Sequence, residues 1–417
     1  MTNNYTAWKK QDVNEFVSRH LNSIVKEIRE VMGHRLEAIV LGGGFGRSEG
    51  SVFIALNGEK HVVNDYDIEV VYKSVINSKI DKLFMYLFFR NKLETLAQEL
   101  SGRMQIKQID LGLRSVESYK NIVVPRLADY DIKYGHKLLY GREDPVSVMK
   151  SFSSQDIPVF EGAWLLRNRG IGLILAKMYL SDGKIIKDKE EYFYVEIIKA
   201  IIAMGDSIFI LNGKYVCSYE KRALQVDQFI ATGPDWMAQL TDLYREAVEE
   251  KLRPRNKLFR EEDPSVLWES ISDLFQKLFL FYESKRLREP IGTLKEYYDK
   301  MLFRQQLNNI QRVRMVIELL FSYHGVRRNI SLYRLRHDKQ QNILFVLLLL
   351  ATGTTGSKHQ KKPYIELLAK ILKKNKLDNK NEWWKNLSTD FLILIHAGGE
   401  VGRFLRAKGP TADQAAG

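Results

Sequence analysis

Three aspartates in this sequence have the types and spacing of a divalent-cation site. Asp65 and Asp67 lie at the start of an alternating run, YDIEVVY, over Tyr66–Tyr72. The period of two in a strand sends both aspartate side chains to one face. Two carboxylates that lie close together repel each other unless a cation sits between them. Mg²⁺, which proteins hold with one or two carboxylates and substrate phosphates, is the predicted cofactor.

Asp110 supplies a third carboxylate, within another alternating run over residues 104–113. It shares one predicted strand face with Ile106, Gln108 and Gly112. We expect this carboxylate to lie on the buried side of the strand, where it requires a partner. That partner is either a metal ion or a neighbouring base, Lys107 or Arg114.

A glycine-rich turn, LGGGFGRSEG over residues 41–50, precedes the first two aspartates. Glycines at a strand-to-helix turn let the backbone approach a phosphate, and the first N–H groups of a helix are unpaired donors. The turn is not a dinucleotide-binding fingerprint, because Arg47 or Glu49 stands where the third glycine is needed. It also lacks the Gly-Lys-Ser/Thr end of a P-loop. We therefore predict an anion site of another kind.

Alternating short strands and helices over residues 35–115 are expected to position these groups. Apolar spacing predicts a helix over residues 8–32 that ends at Gly33, and a second helix over about residues 77–100. The predicted strands are Leu36–Leu41, Tyr66–Tyr72 and residues 104–113. An Asn57-Gly58 turn predicts a hairpin between residues 52–56 and 60–63.

From Asp129 onward the sequence changes to long helical patterns, at residues 164–178, 192–210, 266–282 and 315–321. The predicted fold class is therefore α+β, with an N-terminal mixed sheet and its helices followed by a large, mostly α-helical domain. The predicted segments are an N-terminal helix (1–34), a sheet domain (35–150), a helical domain (151–406) with an internal break near 254–264, and a flexible tail (407–417).

Composition narrows the classes of function. Of the 417 residues, 45% are hydrophobic, which is too many for a disordered protein and enough for two or three cores. The single cysteine, Cys217, excludes a disulfide scaffold and a cysteine-based zinc site. No apolar run approaches the ~20 residues of a membrane span, so we expect a soluble, cytoplasmic protein. The net charge of +13 favours polyanionic partners without choosing among them.

The order of these motifs resembles the polymerase-beta-type nucleotidyltransferase superfamily. The resemblance covers about residues 35–115 and rests on Gly43-Gly44, Arg47-Ser48-Glu49, Asp65-Tyr66-Asp67 before an apolar strand, and Asp110. The sequence departs from the family in three places. Glycine replaces the commoner serine at 44, serine replaces the commoner glycine at 48, and the link from Gly50 to Asp65 is longer than usual.

The resemblance implies a role for each matching residue. Gly43 and Gly44 would hold a triphosphate by their backbone, and Arg47 and Ser48 would add side-chain donors. Asp65 and Asp67 would ligate Mg²⁺, while Asp110 would take a second metal ion or help to deprotonate an acceptor hydroxyl.

The function implied is transfer of a nucleoside monophosphate from a nucleoside triphosphate, ATP by default, to an acceptor, with release of pyrophosphate. A pair of metal ions ~3.5–4 Å apart can stabilise both the attacking and the leaving oxygen. The sequence leaves the acceptor open among a small molecule, RNA or another polyanion, and a protein side chain.

Two rival interpretations remain. One is a nucleotide-binding or regulatory module that does not turn its nucleotide over. Three retained carboxylates argue against it, because phosphate binding alone favours their removal. The other is a helical ribonuclease-like partner domain, which we rank last because its Arg-to-His spacing does not occur in residues 150–417.

Overall fold

The chain divides into two compact units. The first contains Met1–Glu161 and Ile208–Leu258, and the second contains Gly162–Ser207 and Phe259–Gly417. The structure is a computed structural model that describes residues 4–74, 78–230, 233–254, 262–301, 346–351 and 358–371, with 384, 385, 387–389 and 391. The predicted helix at residues 315–321 and the predicted tail at 407–417 lie outside these residues. The predicted domain limits stay predictions.

A four-stranded mixed sheet forms the centre of the first unit, in the order β5-β4-β1-β6. Its strands are β1 (Leu36–Leu41), β4 (Tyr66–Tyr72), β5 (Ile109–Ser115) and β6 (Lys137–Tyr140). β1 runs antiparallel to both β4 and β6, whereas β4 and β5 are parallel. A parallel pair needs a long crossover, and here the crossover contains the helix α3 (Ser78–Arg103).

One face of the sheet is apolar and packs against helices. Helix α1 (Gln11–Met32) buries one stripe of side chains at helical spacing: Val13, Val17, Leu21, Ile24 and Ile28. These residues form a single core with α3 and with the apolar residues of β4, which are Tyr66, Ile68 and Val70. The alternation in β4 therefore turns Asp65, Asp67 and Glu69 to the opposite face.

The predicted elements of residues 35–115 are present, and the start of β5 is the boundary that differs most from its prediction. β1 and β4 have the predicted limits, and α1 ends before Gly33, whose φ of 53° suits glycine. β5 begins at Ile109 instead of residue 104, because α3 continues to Arg103 and Ile106 N–H still bonds to Ser101 O at 3.0 Å. The prediction that Ile106 and Gln108 share a strand face with Asp110 is therefore wrong.

The predicted hairpin is confirmed. α2 (Gly43–Gly46) follows β1, and the chain then forms β2 (Val52–Ile54) and β3 (Lys60–Val62), paired antiparallel. Gly58 has a φ of 83°, and Asn57 Oδ1 accepts a hydrogen bond from Glu59 N–H at 3.0 Å. These are the features for which an Asn-Gly turn is selected. The longer link between the glycine turn and Asp65 is thus an ordered hairpin.

The remaining described elements are mostly helical. Those of the first unit are α4 (Val116–Lys120), α5 (Leu127–Tyr134), α8 (Tyr219–Gln225), α9 (Asp227–Ile230) and α10 (Ala238–Leu252). α6 (Phe160–Met178) begins in the first unit and α7 (Glu190–Leu211) ends in it. The second unit adds the short strands β7 (Leu180–Ser181) and β8 (Lys184–Ile185), with α11 (Pro264–Leu287), α12 (Leu294–Met301) and α13 (Lys358–Ile371).

The helices predicted at residues 164–178, 192–210 and 266–282 are confirmed as α6, α7 and α11. In the second unit, the fully buried Trp268 donates its ring N–H to Leu173 O at 2.7 Å. The predicted α+β class is correct. Among the described helices, none has the length and apolarity that a bilayer crossing requires.

The core between α1 and the sheet generates a stability prediction. Ile24→Ala removes a side chain that is 0% exposed, and we expect a loss of about 2–5 kcal/mol in the free energy of unfolding. Urea unfolding measures it, with the exposed Asn22→Ala on the same helix as the control. Equal midpoints for the two variants would contradict the packing described for α1.

Candidate active site

The structure brings Asp65, Asp67 and Asp110 together. Asp65 directly precedes β4, Asp67 lies within it, and the parallel register sets Asp67 opposite Asp110 of β5. One carboxylate oxygen from each residue lies within 4.8 Å of the other two. Opposite ligands of one Mg²⁺ are about 4.2 Å apart, since each bond is about 2.1 Å. A set of three hard oxygen donors at this spacing therefore fits a divalent cation.

Asp110 is exposed, and the prediction that it lies on a buried side of its strand is wrong. Gly112, which lies on the same face of β5, is exposed as well, so this part of the face is open to solvent. Gln108 donates its side-chain N–H to Asp110. The suggested partner Arg114 instead lies 3.1 Å from Asp129 and 3.6 Å from Glu69.

The three carboxylates act on one another electrostatically. Burial, followed by the charges of Asp65 and Asp110, raises the pKa of Asp67 to about 7, while Arg47 and Lys251 oppose the shift. Near neutral pH a proton therefore competes with a cation for this group.

The glycine turn lies directly beside Asp67. Gly42 N–H donates to Asp67 O at 2.8 Å. A Cβ on Gly43 would lie 1.9 Å from Asp67 Oδ2, and the φ of Gly43 is 58°, so two constraints select glycine here. The first hydrogen bond of α2 runs from Gly46 N–H to Gly42 O at 2.8 Å, so the N–H groups of Gly43 and Gly44 precede it in the turn.

Ser48 and Arg47 already have protein partners. Ser48 Oγ donates to Asn4 O and accepts from Lys137 Nζ, both at 2.8 Å, so contact with a phosphate would have to replace one of these bonds. Arg47 is only 7% exposed, so it is not a surface charge. Its Nη1 lies 3.4 Å from Asp131 Oδ2, and its guanidinium lies 5.0 Å from the centre of the Tyr219 ring.

A polar layer lies deeper on the same sheet face. Glu69 follows Asp67 by two residues, but it accepts a hydrogen bond from Tyr119 OH and lies 3.6 Å from Arg114. Arg114 also stacks over the Tyr119 ring at 4.8 Å. Glu69 is thus compensated by the protein itself, which leaves three carboxylates at the open end of the face.

Sequence reasoning assigned no site role to Glu49, Asp131 or Lys251. Glu49 is 5% exposed and accepts hydrogen bonds from residues 218–220. Lys251 opposes the raised pKa of Asp67 from the end of α10. The contacts of both join positions about 170 to 200 residues apart. No local spacing signals such contacts, although the Arg47–Glu49 spacing in the turn could have drawn attention to Glu49.

Asp67 generates a prediction for the metal-free protein. Its pKa of about 7 exceeds the ordinary 3.8, so the folded state binds more protons than the unfolded state between these values and stability falls as pH rises through them. Asp67→Asn removes this loss. At pH 8 with chelator we expect a Tm higher by about 2–4 °C, the shift that 1 kcal/mol gives in a unit of this size.

Scanning calorimetry at pH 4 and pH 8 measures this difference. The exposed Asp235→Asn serves as the control, with an expected change near zero at both pH values. A wild-type Tm at pH 8 equal to or above that of Asp67→Asn would refute the electrostatic conflict at Asp67.

No family model matches the chain, and no curated protein matches it. Among solved structures, the chain is similar to spectinomycin adenyltransferase AAD(9) from Enterococcus faecialis, in a structure with ATP and spectinomycin. The two chains are 13% identical, the match covers 62% of this chain and 99% of that one, and the TM-score is 0.33. A likeness at this level does not assign the chain to a family.

Proposed function

We propose that the protein is a metal-dependent nucleotidyltransferase that moves a nucleoside monophosphate from a nucleoside triphosphate to an acceptor hydroxyl. The observation that carries this proposal is the cluster of Asp65, Asp67 and Asp110 beside the glycine turn. A nucleotide-binding module without chemistry would gain nothing from three mutually repelling carboxylates. A divalent metal ion with a triphosphate would offset the repulsion within such a cluster beside the glycine turn.

Asp65, Asp67 and Asp110 would hold Mg²⁺. Bound there, the ion would neutralise charge on the triphosphate and on the oxygens of the reacting phosphate. Carboxylate oxygens are the ligands that Mg²⁺ prefers, and the measured spacing of 4.8 Å or less leaves room for it. The protein side of the reaction is then mainly positioning and electrostatics.

Gly43 and Gly44 would hold the triphosphate through their backbone N–H groups. A phosphate could approach this backbone closely because neither residue has a side chain. The hydrogen bond from Gly42 N–H to Asp67 O holds the turn against the sheet. Arg47 and Lys251 supply positive charge near Asp67, as their effect on its pKa indicates. Ser48 is a further proposed phosphate ligand, and it would have to give up its hydrogen bond with Asn4 or with Lys137 to bind the phosphate.

Asp110 would act on the acceptor side, because it is the exposed member of the cluster. The acceptor oxygen attacks the α-phosphorus, the bond from that phosphorus to the pyrophosphate oxygen breaks, and the hydroxyl proton passes to the Asp110 carboxylate or to solvent. A second metal ion at Asp110 is the other role that the residue could fill. The acceptor is proposed only as a molecule that carries a hydroxyl group.

Label transfer from α-labelled ATP tests the proposal. The wild-type protein is incubated with Mg²⁺ and either cell extract, total RNA or a small-molecule extract, beside Asp65→Asn and Asp67→Asn. We expect labelled product and pyrophosphate with wild type. The variants should lose more than the about 10–100-fold that changes beside a metal ligand cost, while Asp235→Asn keeps its activity.

Transfer that survives in both aspartate variants would refute the assigned metal site. Binding of ATP without release of pyrophosphate under every condition would favour the rival, a non-catalytic nucleotide-binding module.

Gly43→Ala tests the contact between the turn and the acids. The added Cβ would meet Asp67 Oδ2, so we expect the side chain of Asp67 to move and Mn²⁺ affinity to fall about 10–100-fold. Gly58→Ala is the matched control, because Gly58 also has a positive φ but has open space around it. Titration calorimetry with Mn²⁺ measures both. Equal losses would mean that backbone strain alone, and not this contact, explains the effect.

A further inference from the structure

Glu49 is a buried carboxylate of the glycine turn for which the proposed chemistry has no use. Its side chain accepts three hydrogen bonds, from Ser218 Oγ at 2.7 Å, Tyr219 N–H at 2.9 Å and Glu220 N–H at 3.0 Å. Both carboxylate oxygens take part, which fixes the orientation of the group. The turn is thereby tied to a segment about 170 residues later in the chain.

These bonds hold the beginning of α8. The first N–H groups of a helix have no partner within it, and a carboxylate at that end also meets the positive end of the helix dipole. Ser218 caps the same helix by accepting from Lys221 N–H at 3.2 Å. Tyr219, the first residue of α8, is therefore fixed by Glu49 through its backbone.

Three cations surround the ring of Tyr219. The charged groups of Arg222, Arg47 and Lys251 lie 4.5, 5.0 and 5.2 Å from its centre. Like charges so close repel one another. The face of an aromatic ring attracts cations, and Glu49 lies 3.6 Å from Arg47 Nε. The ring and the carboxylate together make this arrangement possible.

The same cations act on the acid cluster. Arg47 N–H donates to Gly43 O at 3.3 Å, and a Cβ on Gly43 would lie 1.9 Å from Asp67 Oδ2, so the turn that ends at Arg47 contacts the metal side of the site. The charges of Arg47 and Lys251 both act on Asp67. A second tie supports Lys251, because Ser51 donates its hydroxyl to Lys251 O and accepts from Asn64 at 2.6 Å. The loop over residues 47–51 thus carries one cation and anchors the other.

We propose that Glu49 is a positioning residue that sets the affinity for the nucleoside triphosphate without touching it. It holds Tyr219 at the start of α8 and thereby keeps Arg47 and Lys251 beside the aspartates. The inference rests on the proposed function, because a triphosphate is the ligand whose charge these cations would meet. Loss of positive charge near the three aspartates would not weaken their binding of a cation, so metal affinity and nucleotide affinity separate.

Three variants test this role: Glu49→Gln, Tyr219→Leu and Ser218→Ala. Tyr219→Leu removes the ring but keeps the backbone N–H that Glu49 accepts, so it separates the cation arrangement from the helix cap. Titration calorimetry gives the affinities for Mg·ATP and for Mn²⁺ alone, and thermal unfolding checks the fold. The control is Glu99→Gln, an exposed glutamate of α3.

We expect Glu49→Gln and Tyr219→Leu to weaken Mg·ATP binding about tenfold, the factor that loss of one charge-assisted hydrogen bond gives. Ser218→Ala should show a smaller change in the same direction, and Mn²⁺ affinity should not fall below the wild-type value in any of the three. Glu99→Gln should match wild type in every measurement.

Unchanged Mg·ATP affinity in Tyr219→Leu overturns the proposal, even where Glu49→Gln fails to fold. Equal losses of Mn²⁺ and Mg·ATP affinity overturn it as well, because they would show that Glu49 merely supports the fold. Failure of the wild-type protein to bind Mg·ATP at all would overturn the proposed function and this inference together. Normal wild-type binding with unaffected variants removes the inference alone.

Discussion

Repulsion between neighbouring carboxylates is the constraint on which the described site depends. The parallel register of β4 and β5 sets Asp67 against Asp110, with Asp65 one step away. Carboxylates so close repel one another, and together with burial this repulsion raises the pKa of Asp67. The apolar core formed by α1, α3 and the sheet compensates for it, because the register cannot slip without exposing Tyr66, Ile68 and Val70. The stability of the fold thus keeps three carboxylates close together, in an arrangement that can bind a cation.

The polar face of the sheet has two layers of acidic residues with different surroundings. Nearest the open end lie the three aspartates, and the charges of Arg47 and Lys251 act on Asp67. Deeper lies Glu69, which is compensated directly by Arg114 and Tyr119. Asp67 and Glu69 are two positions apart but have different surroundings. The difference comes from Arg114 on the neighbouring strand and from Tyr119 of α4, which both contact Glu69. The outer layer is the part of this face to which the proposed chemistry is assigned.

Sequence patterns predicted what depends on local order. β1, β4 and the hairpin follow from alternation and from an Asn-Gly turn, and the grouping of the aspartates follows from strand periodicity together with the family resemblance. The exposure of Asp110 depends on which strand lies at the sheet edge, and strand order is a tertiary property. The start of β5 shifted because α3 continued for one more turn. The partners of Glu49 lie too far along the chain for any spacing rule to find them.

The tie between Glu49 and residues 218–220 also orders events during synthesis on the ribosome. The β1, β4 and β5 part of the sheet can form early, since its pairings need no residue beyond Ser115 and N-terminal elements fold first. More than a hundred residues separate Ser115 from Lys251, and their translation takes on the order of 10 s. For that interval the nascent chain presents its aspartates without Tyr219 and Lys251. Tyr219 and Lys251 therefore join Arg47 and the aspartates only late in the synthesis of the first unit.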